Sequence, residues 1–291
     1  MYYWILALLV ILCFNCQGIL VDSKAINNAK DAFELNMNDF SAAYIFEQSK
    51  TSDQIAIENI KMETSQNRDF QKAWEKANGA MDCRIPNGLQ REHMVAVYTY
   101  TTPWGFSGIF NDAVQKYGVS DTVYAENFKF KAYHYLLTVA LEKLPKAGLK
   151  TSYRGIKDTA YGRKGSEIRF GFFASSSLNE KVAFDFINKN LAANTLFEIH
   201  HIDGALIQDC SYNRTQQEVL IPPYRVFTVG ASEPFPYGHR ISLTTVAKRK
   251  GIHVQLETGE SGELIVRRSG SAAVMASSGS LLVTALVFVS G

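Results

Sequence analysis

What this sequence lacks narrows its function before anything present in it is read. No apolar run among its 291 residues approaches the ~20 that a membrane-spanning helix needs. The greasiest stretches, 4–14 and 281–289, are both too short. No G-x-G-x-x-G occurs and strand and helix patterns do not alternate, which argues against a Rossmann nucleotide fold. Neither sign of charge dominates. Thirty Lys and Arg against 28 Asp and Glu leave +2, without the clustered basic excess of a nucleic-acid binder. Metal-ligand spacing is missing too. His200-His201, with Asp203 nearby, is the one grouping that invites a metal reading. Neighbours on a strand face opposite ways, however, and no zinc-type spacing accompanies them, so no metal is expected. What is present is apolar material for a substantial core: 46% of the chain is hydrophobic, with 18 Phe and 14 Tyr.

Cysteine is scarce, and its placement ties in with the two ends. Residues 1–18 read MYYWILALLVILCFNCQG, a short apolar run followed by Cys16 and Gly18 at signal-peptidase spacing. A signal peptide cut after Gly18 is expected, although its first residues carry no Lys or Arg. At the other end Arg267-Arg268 gives way to small residues, then to the apolar run 281–289, with no basic flank before Gly291. That order describes a glycosylphosphatidylinositol attachment signal over 269–291, removed on attachment. The expected product is a single domain, 19–268, on the extracellular face of the plasma membrane, joined to it through a lipid only. Cys13 and Cys16 leave with the leader, so Cys83 and Cys210 remain. They allow one intramolecular disulfide, worth on the order of 4–5 kcal/mol across so long a loop, or two free buried thiols. Asn213-Arg214-Thr215 is the one N-glycosylation sequon.

Between the ends there is no internal repeat. Segments 25–36, 52–66, 68–78, 110–117 and 127–144 carry apolar positions at helical spacing. After Pro145 and Gly148 the pattern changes to short β-branched and aromatic runs: 151–155, 167–177, 195–199, 204–208, 217–221, 224–229, 241–247 and 252–257. Helices first and strands afterwards predict an α+β fold, a helical region packed on a mainly antiparallel β-sandwich core.

Three segments in the strand-rich half carry chemistry. Ser152-Tyr153-Arg154-Gly155 sets an arginine at a strand end, followed by a glycine that allows a ligand to approach the backbone. Residues 169–178, RFGFFASSSL, turn from aromatic to hydroxyl-bearing. Residues 216–223 read QQEVLIPP. In this order they resemble the Arg–Ser–Glu-x-Glu signature of the vertebrate ecto-mono-ADP-ribosyltransferases. The stretch 128–144, FKFKAYHYLLTVALEKL, is similar to that family as well, and the resemblance covers roughly residues 30–230.

The resemblance implies an ADP-ribosyltransferase fold and an enzyme that uses NAD+ as substrate, with no bound cofactor. The nicotinamide–ribose bond is cleaved and ADP-ribose passes to a protein side chain, arginine in the family, or to water. Nucleic acid has no part in it. Glu218 is then the catalytic carboxylate, set to stabilise the oxocarbenium-like charge that builds on the ribose. Arg154 suits the pyrophosphate as a planar, permanently charged fork, with Gly155 beside it. Ser175 braces the nicotinamide-ribose end, and Phe186 stacks on the nicotinamide ring. The resemblance breaks at one point, where the first glutamate of Glu-x-Glu is Gln216. On an extended segment positions i and i+2 face the same way, so Gln216 and Glu218 are both expected to look into the site. An amide hydrogen-bonds but is no general base, so hydrolysis is expected to gain over transfer to arginine. A glycan on Asn213, three residues earlier, is expected to hinder large acceptors more than water. The rival reading is a catalytically weak, lipid-anchored surface glycoprotein that acts by binding.

Overall fold

The computed structural model describes residues 33–35, 37, 42–200, 204–246 and 251–270. The expected leader lies outside these residues, as do His201, Asp203 and all but the first two residues of the expected anchor signal.

Six helices follow two short strands at 33–34 and 44–46: α1 (Lys50–Ser65), α2 (Arg68–Ala80), α3 (Arg91–Tyr100), α4 (Phe106–Tyr117), α5 (Asp121–Asn127) and α6 (Lys131–Lys143). Several start where short polar side chains take the first free amides. Ser49 accepts from Ser52 N, Asn67 from Phe70 N and Ser120 from Val123 N. Helix α6 has Phe130 at its N-cap and no local side-chain cap. Its cap comes from α1: Glu63 Oε1 and Oε2 accept from Ala132 N and Tyr133 N at 2.7 and 3.1 Å. That lets α6 be buried on all sides from Ala132 to Leu141, as the central helix of the layer. The expected helix 127–144 is therefore shorter at its start, because Asn127 closes α5. A strong ring cluster fills the layer. Phe70 stacks on Phe106 at 4.2 Å, Tyr133 meets Phe110 edge-on at 4.8 Å, and Phe173 reaches in from the strand-rich half, 5.4 Å from Phe110.

The strands are β1 (Phe33–Glu34), β2 (Tyr44–Phe46), β3 (Thr151–Ile156), β4 (Ala160–Tyr161), β5 (Glu167–Ile168), β6 (Ala174–Ser177), β7 (Asn194–His200), β8 (Ala205–Leu206), β9 (Glu218–Ile221), β10 (Phe227–Phe235), β11 (Gly238–Thr245), β12 (Ile252–Thr258) and β13 (Leu264–Arg268). Eight form one sheet in the order β5-β10-β11-β7-β3-β6-β9-β8. All its pairings are antiparallel except β11 with β7. A three-stranded sheet, β13-β12-β2, covers α1, where Ser52 Oγ donates to Leu256 O at 3.0 Å. A second, smaller core of Ile168, Phe197, Phe227, Ile241 and Leu243 lies on the large sheet.

Other expected elements differ as well. The helix over 25–36 falls mostly outside the described residues, and its described end, Phe33–Glu34, is strand β1, paired in parallel with β4. The strand over 167–177 is broken in two, because Gly171 takes φ 71°, a conformation that favours glycine and turns the chain out of the ladder. Cys83 and Cys210 are bonded to each other with their Cα atoms 5.1 Å apart, which settles the open choice between a bridge and free thiols. No helix among the described residues is long and apolar enough to cross a membrane.

Candidate functional site

Strands β3, β6 and β9 lie side by side, so the three sequence segments meet. Tyr153 pairs with Ser177, and Ser177 with Glu218. From β3, Arg154 Nη1 donates to the Ser175 carbonyl at 2.8 Å, and the guanidinium lies 5.5 Å from the Phe172 ring centre. Ser175 Oγ donates to Glu218 Oε1 at 2.5 Å, while Ser211 Oγ reaches Oε2 at 3.5 Å. The run of three serines is thus divided by task. Ser175 holds the carboxylate. Ser176 joins Ser152 Oγ at 2.7 Å and donates to Val219 O, tying the strands together. Ser177 donates to Gln216 O at 2.6 Å and pins the turn before β9.

Glu218 is 6% exposed, and burial raises its pKa above the ordinary carboxylate range. The Ser175 and Ser211 hydroxyls and the Arg154 charge oppose that shift. Burial also pulls the Arg154 guanidinium down from its usual value, opposed by Tyr100 and Glu218. The arrangement holds a carboxylate in a buried place where its charge acts at lowered dielectric, with one oxygen only loosely engaged. That is the equipment for stabilising a positive charge that develops nearby.

Gln216 lines the same cavity as Glu218, but by a different route from the one expected. It ends a 3-10 turn, Arg214–Gln216, and is not on the strand. The next residue, Gln217, has φ 46° and ψ 49°, the one left-handed non-glycine among the described residues, and β9 begins after it. Strand alternation therefore does not set the pair; a kink does. Leu178 N donating to Gln217 O at 3.1 Å holds the kink in place. Asn213 opens the turn, exposed and on the cavity rim. Phe186 also lines the cavity, at the end of the 3-10 turn Phe184–Phe186 and 52% exposed. Gly155 also lines the cavity, yet the close approach that requires a glycine there comes from the chain itself. A Cβ at 155 would collide with the Ala183 carbonyl oxygen at the end of helix α7 (Glu180–Ala183). Of the metal grouping, His200 is described: it contacts Thr151 Oγ1 at 3.1 Å and lies 3.6 Å from Glu198, on β7 away from this cavity.

Sequence reasoning missed the wall supplied by the helical layer. Tyr100, at the end of α3, lines the cavity and donates to Phe173 O at 2.5 Å. Burial pushes its hydroxyl up to about 12, so it remains a neutral donor. Asn111 of α4 grips the backbone of the same residue on both sides, accepting from Phe173 N at 3.1 Å and donating to its carbonyl at 3.0 Å. This clamp fixes the root of β6 two residues before Ser175. Thr101, Thr102 and Tyr212 complete the rim. The one available signal was the buried character of 94–100, whose β-branched and aromatic residues read as neither clear helix nor clear strand.

The walls enclose about 350 Å³, within the range of small-ligand pockets. The family model described as NAD:arginine ADP-ribosyltransferase matches residues 33–251. The T-cell ecto-ADP-ribosyltransferase 1 of Mus musculus is 34% identical over 207 residues, 69% of this chain and 68% of that protein. The GPI-linked NAD(P)(+)--arginine ADP-ribosyltransferase 1 of the same species is 35% identical over 184 residues, 61% of this chain and 55% of that one. Among solved structures, a glutamate-to-isoleucine mutant of the eukaryotic mono-ADP-ribosyltransferase ART2.2 in complex with NAD superposes with a TM-score of 0.64. It shares 27% identity, over 76% of this chain and 98% of that one. By sequence and by fold the chain belongs to the NAD:arginine ADP-ribosyltransferase family, enzymes that transfer ADP-ribose from NAD+.

Proposed function

We propose that this chain cleaves NAD+ at its nicotinamide–ribose bond and passes the ADP-ribose to water in preference to a protein arginine. The observation that carries the reading is the pair at the end of the Ser177–Gln216 turn: a buried, hydroxyl-held carboxylate at 218 beside an uncharged amide at 216. Departure of nicotinamide leaves positive charge on the ribose. Glu218 stabilises that charge in its ionised form, accepting from a ribose hydroxyl where Ser175 now donates. Arg154 fits the pyrophosphate and Phe186 the nicotinamide ring, both in the lining of one cavity. Nicotinamide departs as a neutral molecule, and water that adds to the ribose cation releases its proton to solvent, so neither step needs a base at 216. Transfer to arginine does, because a guanidinium attacks only after losing its proton, and an amide at 216 does not take that proton.

The same reading puts the protein on the extracellular face of the plasma membrane, as a domain of residues 19–268 released from its leader and held by a lipid anchor. The Cys83–Cys210 bridge agrees with an oxidising compartment, and a relative is GPI-linked by name. The test measures nicotinamide release from NAD+, with and without agmatine as an arginine mimic, in wild type, Glu218→Ala and Gln216→Glu. Release lost in Glu218→Ala, with an agmatine adduct formed mainly by Gln216→Glu, is the expected result. A strong adduct from the wild type would remove the role given to Gln216. No release from the wild type would move the function to binding.

A further inference from the structure

We infer that Asn213 carries an N-linked glycan that stands on the rim of the NAD cavity and filters acceptors by size, admitting water and small guanidines while holding off folded proteins. The inference rests on the enzymatic reading above and adds a modification site and a regulation to it. Four observations carry it.

The sequon is accessible and in suitable local geometry. Asn213, Arg214 and Thr215 are all exposed. Asn213 Oδ1 accepts from Thr215 N at 3.2 Å and from Thr215 Oγ1 at 2.7 Å. The threonine hydroxyl therefore lies against the carboxamide, and the amide nitrogen that would receive the sugar is left to solvent. The same residue lines the cavity with Gln216 and Glu218, so the first sugar would sit at the opening rather than on a distant surface. Glu218 itself is buried in the lining of that cavity.

The loop is also held too firmly to carry the sugar aside. Tyr212 N donates to Thr101 Oγ1 at 2.8 Å on one side of Asn213. Ser177 Oγ holds Gln216 O on the other. Arg214 pairs with Asp82, next to Cys83, whose bridge to Cys210 closes the base of the same loop. A loop anchored at 210, 212, 214 and 216 keeps whatever is attached at 213 over the cavity mouth. A bulky solvated group there blocks a convex protein surface by exclusion, and leaves paths for molecules of a few atoms.

The experiment uses the full chain made in a secretory host, before and after enzymatic removal of N-glycans, which leaves the amino-acid sequence otherwise intact. Mass analysis of the peptide containing Asn213 reads occupancy, with Thr215→Ser retaining the sequon and Thr215→Ala abolishing it. Nicotinamide release, measured in the wild type, is expected to stay within about twofold, since NAD+ is small. Transfer is read in the Gln216→Glu background as the ratio of label on a folded arginine-bearing protein to label on agmatine. Deglycosylation is expected to raise that ratio roughly tenfold, equivalent to about 1.4 kcal/mol. An unmodified Asn213, or a ratio that deglycosylation leaves unchanged, overturns the inference. Absence of nicotinamide release in both glycoforms would instead overturn the enzymatic reading beneath it.

Discussion

Glu63 in the helical half and Glu218 in the strand-rich half are 5% and 6% exposed, and burial raises both carboxyls, Glu63 to about 8. In burial and in the direction of their titration they are alike. They differ in what holds them. Both oxygens of Glu63 take backbone amides at the start of α6, donors that cannot turn away. Glu218 is held on one oxygen by the hydroxyl of Ser175, a rotor free to re-aim, and on the other by a contact of 3.5 Å. It alone of the two opens on the 350 Å³ cavity. A carboxylate committed to fixed amides is a helix cap placed at a distance. One held by a rotatable hydroxyl at a cavity wall is placed to re-aim toward a bound ligand. Perturbed titration points to function only when geometry leaves the group free to act.

Glu218→Gln gives the sharpest form of that contrast and the largest effect. The substitution keeps size and hydrogen bonding and removes the charge. Nicotinamide release is expected to fall by about 10²–10³-fold, the usual consequence of losing one electrostatic stabiliser. Stability is expected to rise by about 1 kcal/mol, because an ion no longer has to be buried. In the wild type, release is expected to fall as pH is lowered through the raised Glu218 value, because the proposed role needs the ionised form. Folding responds in the opposite sense. The folded chain binds this proton more tightly than the unfolded one, so the Glu218 contribution to stability declines as pH rises from 4.5 through the raised value. Thermal melts and steady-state rates across pH check both halves. A rate loss under tenfold would return Glu218 to the same class as Glu63.

The same contrast explains what the sequence disclosed and what it hid. The meeting of Arg154, Ser175 and Glu218 was legible because short strands carry their motifs intact, and adjacent strands in register bring local motifs together. The helices-then-strands order was legible from periodicity, and the loop between Pro145 and Gly148 marked the change. Hidden were interactions across layers. Glu63 caps a helix 69 residues away, and Asn111 clamps a peptide 62 residues on; no spacing rule encodes either. Helix α3 escaped notice because its residues 94–100 are all buried, which erases the polar face that periodicity needs. The left-handed Gln217 was invisible for another reason: its conformation is imposed by Ser177 and Leu178 and is not preferred by glutamine.

Ser175→Ala tests the hydroxyl as the element that makes Glu218 a reagent. The variant keeps the carboxylate but removes the bond that lowers its pKa. A hydrogen bond to a charged group contributes about 1.5–3 kcal/mol, so release near neutral pH is expected to fall by roughly tenfold or somewhat more. Because the lost bond favoured the ionised form, the acid limb of the pH–rate profile is expected to move to higher pH. A fall in rate with an unmoved acid limb would show that Ser175 acts on the substrate alone and leaves the titration of Glu218 untouched.

Glu63→Gln is the counterpart with the smallest effect on chemistry. The amide oxygen still accepts one helix N–H, but its NH2 group faces the other, so one of two buried bonds is lost. A loss of about 1 kcal/mol is expected, with NAD+ cleavage unchanged once the folded fraction is accounted for. The pH dependence carries the argument further. Glu63 titrates at about 8 when folded and near 4.5 otherwise, so the native state holds the extra proton and wild-type stability declines between those values. The glutamine variant has no proton to lose. Its deficit relative to wild type is therefore expected to be largest near pH 5 and to shrink or reverse by pH 8. Urea titrations at the two pH values measure it. A deficit that grew with pH would mean that the α6 amides outweigh burial and hold Glu63 ionised, which would make the two carboxylates electrostatically different as well as differently held.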